Sequence, residues 1–182
     1  MLLNVTIELV HAQLKSPEAF LGYTLGSRYT PHFKIVEYFK YVAAASPLQV
    51  KLEQYGETNE RRPLYTAFIS SQKNIASLEE IRQYNLQLAK MDNQNASSSR
   101  PPTPIVWLSY NVHGNETSSS EAAMLTLFAL ASNNEQTRPW LENTVVVIDP
   151  CLNPDGRERY VNWFTGMMGQ KANASMMSRE HN

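Results

Sequence analysis

VWLSYNVHGNE, the segment Val106–Glu116, is an apolar run that ends in a histidine and a glutamate three positions apart, His113 and Glu116. The apolar part is typical of a buried β-strand. Gly114 and Asn115 permit a tight turn after it, so we expect the imidazole and the carboxylate to reach the same point. Nitrogen and oxygen donors on stiff backbone are ligands that Zn2+ takes at about 2.0–2.2 Å. The segment therefore predicts that His113 and Glu116 bind a metal ion; a hydrogen-bonded structural pair is the alternative.

A second informative segment follows about 40 residues later. The apolar run Thr144–Asp149 leads into Asn153–Gly156, with the sequence NPDG. Such a string by itself predicts a turn, with proline at its second position and glycine where backbone freedom is needed. In open α/β sheets, ligands bind beyond the carboxyl ends of the strands. His113 and Asn153 both follow such ends, so we expect them to converge.

The periodicity of the whole chain predicts an α/β fold. We expect three α/β/α layers around a mixed, largely buried central sheet that is incomplete at the C-terminus. Ser77–Glu80 and Ser118–Glu121 have the spacing of capping boxes in front of helices. The predicted helices cover residues 31–45, 78–90 and 118–131, and the predicted strands cover 48–55 and 64–70, paired as a hairpin, together with 105–110 and 144–149.

The two apolar strands carry the most specific burial prediction. A strand that is apolar on both faces is typical of the inside of a layered sheet. Two segments lack such periodicity: residues 92–104 are predicted to form a polar surface loop within one domain, and residues 166–178 a long loop. We expect the following side chains to be buried in adjacent strands of one sheet: Val106, Leu108, Val145, Val147 and Ile148.

Length and composition exclude several classes of protein. The 182 residues are 42% hydrophobic and 18% charged, which is typical of one globular domain. A net charge of −1 gives no reason to expect nucleic acid as a partner. Cys151 is the only cysteine, which excludes an internal disulfide. No apolar run approaches the roughly 20 residues of a transmembrane helix.

The N-terminus is interpreted as a separate segment, residues 1–22, in front of a domain at residues 23–182. Met1–Val10 is apolar, and Val10–Ala12 resembles a signal-peptidase cleavage site. A remnant of a secretory signal would place the protein in the secreted or periplasmic class. Residues 1–10 contain no Lys or Arg, and an ordinary N-terminus, with a cytoplasmic location, stays open.

The order strand, HGNE, helix, strand, NPDGRERY resembles the zinc carboxypeptidase family, the carboxypeptidase A-like metallopeptidases, over about residues 30–160. The resemblance implies a metallocarboxypeptidase that hydrolyses C-terminal residues from a peptide or protein substrate with Zn2+ as cofactor. It implies that His113 and Glu116 are the first two zinc ligands. It also implies that the segment Asn153–Gly156 shapes the cleft.

Other functional residues of that family have no counterpart in these 182 residues: a third ligand histidine, a general-base glutamate, a tyrosine over the substrate and an Asn-Arg pair for its terminal carboxylate. The resemblance implies that the general base lies beyond Asn182. We therefore expect a truncated, inactive portion of the domain, with catalytic and substrate-binding residues unassigned. His181 is the only later histidine, and we do not expect it to be a zinc ligand, because it comes too early and no strand precedes it. Arg157, Arg159 and Arg179 follow the NPDG segment, but none matches the family's transition-state arginine.

Two other functions stay open at this point. Zinc deacylases of the aspartoacylase and succinylglutamate desuccinylase type share an HGNE-like motif on a related fold and cleave N-acyl amino acids. The Asp155–Gly156 pair favours the peptidase, because those deacylases usually lack it. A non-catalytic fragment or binding module on the same fold is the remaining alternative. The preferred C-terminal residue and the oligomeric state are not readable from the sequence.

Overall fold

A computed structural model describes residues 13–89, 102–132 and 134–168. None of the helices in these ranges is long and apolar enough to cross a membrane. In chain order, the described elements are α1 (Pro17–Leu21), α2 (His32–Ala45), β1 (Val50–Glu57), β2 (Pro63–Ile69), α3 (Gln72–Ala76), α4 (Leu78–Leu88), β3 (Ile105–Ser109), α5 (Ser118–Ala131), α6 (Arg138–Asn143), β4 (Val145–Asp149) and α7 (Pro154–Met168).

The strands form one open mixed sheet in the order β1-β2-β4-β3. β1 and β2 are an antiparallel hairpin, as predicted, and β2 is antiparallel to β4. β3 and β4 are parallel, with Ser109 opposite Asp149 at the end of both strands. The chain segments that follow β3 and β4 therefore leave the sheet at the same edge. The predicted α/β architecture is confirmed.

Helices cover both faces of the sheet, and successive side chains of β4 pack alternately into two cores. Val146 and Ile148 belong to a large core built mainly with α2 and α5. Val145 and Val147 face the other way, into a smaller core with Ile81 of α4. Each of the two helical layers thus buries one set of β4 side chains, which explains why Val145–Ile148 are all apolar.

The prediction of burial is wrong for β3. Val106 is 43% exposed and Trp107 is 62% exposed, whereas the three predicted β4 side chains are at most 3% exposed. Leu108 is half-buried. β3 is the last strand of the described sheet and is hydrogen-bonded only to β4 within it. Burial in the sheet is therefore concentrated in β4 and the adjoining part of β2.

Truncation of Val147 to alanine should lower the free energy of unfolding by roughly 1–3 kcal/mol, because two buried methyl groups are lost from the smaller core. Val106→Ala is the matched control, since the same change at an exposed position should cost less than about 0.5 kcal/mol. Urea denaturation of both variants measures the difference. Equal losses in the two variants would contradict the burial of β4 between two helical layers.

Both predicted capping boxes are wrong. Ser77 precedes α4 but its side chain makes no capping hydrogen bond. Ser118 lies inside the first turn of α5, and Thr117 occupies the N-cap position without a side-chain bond. The glutamate of the second pattern, Glu121, is instead buried and bonded to residues far away in the sequence. The helices themselves begin where they were predicted to begin.

Candidate metal centre

His113 and Glu116 lie in the loop that follows β3, at the carboxyl edge of the sheet. His113 Nδ1 and Glu116 Oε1 are 3.4 Å apart, which confirms the predicted proximity. Two donor atoms about 2.05 Å from one tetrahedral zinc ion are roughly 3.3–3.4 Å apart. Hydrogen bonds from nitrogen to oxygen usually span about 2.7–3.2 Å. The observed separation therefore fits two ligands of one zinc ion and lies just beyond the usual hydrogen-bond range.

The side chains of this pair are accessible from solvent. The exposed fractions are 63% for the His113 side chain and 60% for the Glu116 side chain. Within the described ranges, no group of three or more His, Cys, Asp or Glu side chains is arranged to hold a metal ion. The part of the chain that the structure describes therefore supplies two protein donors that fit zinc, one nitrogen and one oxygen.

The loop backbone is held by Asn111, which has a left-handed φ of 54°. Its side-chain Nδ2 donates to the carbonyl of His113 at 2.6 Å. Its own backbone N–H donates to Ser119 Oγ at 2.8 Å. The Glu116 N–H also donates to the His113 carbonyl, at 3.1 Å. Asparagine tolerates this backbone conformation better than most residues, so the sequence around the histidine matches the geometry that it adopts.

The two sequence motifs converge, as predicted. The N–H of Asn153 donates to the carbonyl of Asn111 at 3.1 Å. Gly114 lies so close to the other segment that a Cβ there would be 2.1 Å from the carbonyl carbon of Gly156. The neighbouring contact, to the N of Arg157, would be 2.7 Å. Glycine at position 114 is thus required by backbone-to-backbone packing between the two segments.

The NPDG segment is the beginning of α7, and not an isolated turn as predicted. Asn153 Oδ1 accepts a hydrogen bond from the N–H of Gly156 at 2.9 Å, so asparagine caps the helix and proline is its first residue. The helix runs to Met168. The predicted loop at residues 166–178 is therefore wrong for 166–168, and 169–178 lie outside the described residues.

Asp155 of this segment ties the β1–β2 hairpin to α7. Its carboxylate accepts hydrogen bonds from Thr58 Oγ1 at 2.7 Å and from Arg62 Nη1 at 2.6 Å. The N–H of Glu60 also donates to it, at 3.3 Å. Partial burial raises the pKa of this carboxyl, but these hydrogen bonds outweigh it and leave the pKa below its ordinary value. The hairpin tip is therefore fixed beside the two motifs.

Asp155→Asn should lower the free energy of unfolding by about 1 kcal/mol near neutral pH, because Arg62 then donates to a neutral amide oxygen and the ion pair is lost. The folded-state pKa lies below the unfolded value of about 3.9, so the stabilisation is complete above that value and disappears as the pH falls through the folded pKa. The stability difference between wild type and variant should shrink below about pH 4. Urea titrations at several pH values measure it; a constant difference would contradict the assignment.

The two arginines just after the NPDG segment have different environments. Arg157 is fully buried with all its N–H groups bonded inside the protein, so it is not placed to meet a substrate. Arg159 is exposed and pairs with Glu60 of the hairpin tip. Sequence reasoning did not anticipate the buried position of Arg157.

The sequence after α7 lies outside the described residues. It contains Arg179, His181 and Asn182. The expectation that the general base lies beyond Asn182 therefore stays a prediction, since no described residue tests it. The same holds for the expectation that His181 is not a zinc ligand. His113 and Glu116 are thus the predicted site residues whose geometry the structure gives.

Asp149 and Cys151, the other reactive side chains near this edge, are not placed as metal donors. Cys151 is 2% exposed, and burial raises the pKa of its thiol to about 12, so the thiolate is disfavoured. Asp149 is fully buried, and its carboxylate accepts the Tyr55 hydroxyl at 2.6 Å. Burial also raises the pKa of this carboxyl. Both groups are therefore buried structural residues next to the loops that carry the two motifs.

Comparison with known families matches residues 35–181 to the zinc carboxypeptidase family. The match covers both motifs and most of the chain. The chain therefore belongs to the zinc carboxypeptidase family. Comparison with curated protein sequences gives no significant match.

Solved structures with a similar fold agree with this assignment. Thrombin-activatable fibrinolysis inhibitor superposes with a TM-score of 0.53 at 16% identity, over 72% of this chain and 27% of its own. The bovine protein, in complex with tick carboxypeptidase inhibitor, gives 0.50 at 15% identity, over 72% and 33%. A metallo-carboxypeptidase from Burkholderia cenocepacia gives 0.51 at 16%, over 71% and 28%. At these identities the likeness concerns the fold, and the chain spans about a third or less of each structure.

Proposed function

We propose that this chain carries two zinc ligands, His113 and Glu116, of a zinc-dependent metallocarboxypeptidase that removes C-terminal residues from peptides. The observation that carries the proposal is the 3.4 Å separation of His113 Nδ1 and Glu116 Oε1. The pair lies at the common edge of two parallel strands, within the residues that match the family. Fold likeness alone would not support a function, because unrelated activities share folds.

The chemistry of the donors is consistent with a catalytic role. Bound zinc supplies a polarised carbonyl and a water of lowered pKa when one coordination position is left open. The two side chains are more than half exposed, so a peptide can approach the ion that they hold. Their backbone is tied to Asn111 and packed against α7, which keeps the donors in place. Preorganised donors are what metal-assisted hydrolysis requires from a protein.

The substrate class is tested by assaying two kinds of substrate. The 182-residue chain and any longer product of the same reading frame are incubated with zinc and with N-blocked peptides that have a free C-terminal carboxylate. The matched peptide amides test for recognition of that carboxylate. N-acyl amino acids test the deacylase alternative. Chelation and His113→Ala provide the controls for a metal-dependent reaction.

Release of the C-terminal residue by a longer product of the reading frame, lost in His113→Ala, is the result expected from the proposal. With only the two donors assigned above, the 182-residue chain should bind zinc weakly and show no turnover. Cleavage of N-acyl amino acids without cleavage of peptides would assign the deacylase function instead. Peptide release that neither chelation nor His113→Ala reduces would contradict the zinc mechanism.

A further inference from the structure

Arg157 is a fully buried arginine in the first turns of α7. Its guanidinium group has five N–H donors, and all five have an acceptor. Nε and Nη2 both donate to the Thr30 carbonyl, at 2.9 and 2.7 Å, and Nη2 also donates to Glu121 Oε1 at 2.8 Å. Nη1 donates to Asn111 Oδ1 and to the Thr117 carbonyl, both at 2.8 Å. One side chain of α7 thus connects the segment before α2, the loop after β3 and the first turn of α5.

Two of those acceptors bracket the proposed metal ligands. Asn111 lies two residues before His113, and Thr117 directly follows Glu116. Asn111 in turn donates from Nδ2 to the His113 carbonyl at 2.6 Å. The path of hydrogen bonds therefore runs from Arg157 through Asn111 to the backbone of the histidine. We propose that Arg157 is a positioning residue that holds the loop of His113 and Glu116 in its metal-binding conformation, an inference that rests on the zinc site proposed above.

The choice of arginine supports this assignment. Burying a charged pair is often no more stabilising than burying apolar groups of similar volume, so stability alone is a weak reason for it. An apolar side chain at position 157 could not connect Asn111 with Thr117. Groups that orient metal ligands by hydrogen bonds, without touching the metal themselves, typically contribute 10–100-fold to metal affinity. A planar fork with fixed donor directions is suited to that task, whereas a lysine offers a single nitrogen.

The test compares the contacts of Arg157 with the metal-binding loop, through Asn111 and Thr117, with its contact to Glu121 on α5. Arg157→Lys keeps the charge but cannot reach all the acceptors at once. Asn111→Asp keeps an acceptor for Arg157 and removes the donor to the His113 carbonyl. Glu121→Gln is the matched control, because it removes the charge partner on the far side and leaves the bonds to Asn111 and Thr117 in place.

Four quantities are measured for the full chain and each variant. Urea denaturation gives stability, and competition with a chelator gives the affinity for Zn2+ and Co2+. The visible spectrum of bound Co2+ reports the coordination geometry. In metal-free protein, hydrogen exchange of the Glu116 N–H, which donates to the His113 carbonyl, reports the order of the loop.

We expect Arg157→Lys and Asn111→Asp to lose at least about tenfold in metal affinity, to change the Co2+ spectrum and to exchange the Glu116 N–H faster. Glu121→Gln should lose stability but keep an affinity within about threefold of wild type. If Arg157→Lys fails to fold, Asn111→Asp still tests the last hydrogen bond of the path from Arg157 to His113. This inference alone would be overturned if all folded variants bound metal as tightly as wild type while His113→Ala abolished binding. The proposed function would then still stand. Metal binding unaffected by His113→Ala would overturn the proposed function and this inference with it.

Discussion

Gly114→Ala should destabilise the protein by roughly 3–5 kcal/mol, one of the largest effects that a single methyl group can have. The added Cβ would lie 2.1 Å from the carbonyl carbon and 2.3 Å from the carbonyl oxygen of Gly156. Both are backbone atoms at the beginning of α7, so no side chain can rotate away to make room. The HGNE loop and the helix would have to separate. Urea denaturation of wild type and variant measures the loss.

Gly166→Ala is the matched control for that substitution. Gly166 lies in α7 and is exposed, and a Cβ added to it would have no neighbouring atom within 4 Å. Alanine there should be neutral or stabilise the helix by up to about 1 kcal/mol, because glycine is a poor helix former. A Gly114→Ala variant as stable as wild type would contradict the close packing of the two motifs.

His113→Ala and Glu116→Gln should each weaken zinc binding by at least about 100-fold, because removing a ligand costs more than disturbing the groups behind it. Both side chains are more than half exposed, so the free energy of unfolding should change by less than about 0.5 kcal/mol. Competition with a chelator measures the affinity. Glu37→Gln, an equivalent change at an exposed position on α2, is the control.

His181→Ala belongs to the same series, because His181 is the only histidine after Glu116. We expect little change in zinc affinity for this variant. A loss as large as that of His113→Ala would show that His181 completes the site. Unchanged affinity in both His113→Ala and Glu116→Gln would mean that zinc binds elsewhere.

The architecture was predictable where the pattern is local or the burial is complete. β4 is apolar from Val145 to Ile148 because two cores receive these side chains, and the helical period of α2 indicates which of its faces is buried. β3 has the same apolar composition, yet Val106 is 43% exposed. An apolar strand does not reveal whether it has a neighbour on each side, since that depends on the order of strands in the sheet.

The candidate site was predictable in part for the same reason. His113 and Glu116 are three residues apart after a strand, so their proximity depends on one turn. The role of Arg157 depends on partners 36–127 positions away in the chain, and no local pattern reports them. The second capping-box pattern was misleading because Glu121 is used in that buried pair. Long-range polar networks of this kind leave no periodic signal.

The most direct test of zinc ligation by His113 and Glu116 is an anomalous difference map at the zinc edge from crystals of the zinc-loaded protein. We expect a peak about 2.0–2.2 Å from His113 Nδ1 and from a carboxylate oxygen of Glu116. Nδ1 is the expected ligand atom because it is the ring nitrogen that faces the carboxylate. A peak bonded to other side chains, with neither His113 nor Glu116 in contact with the ion, would contradict this assignment.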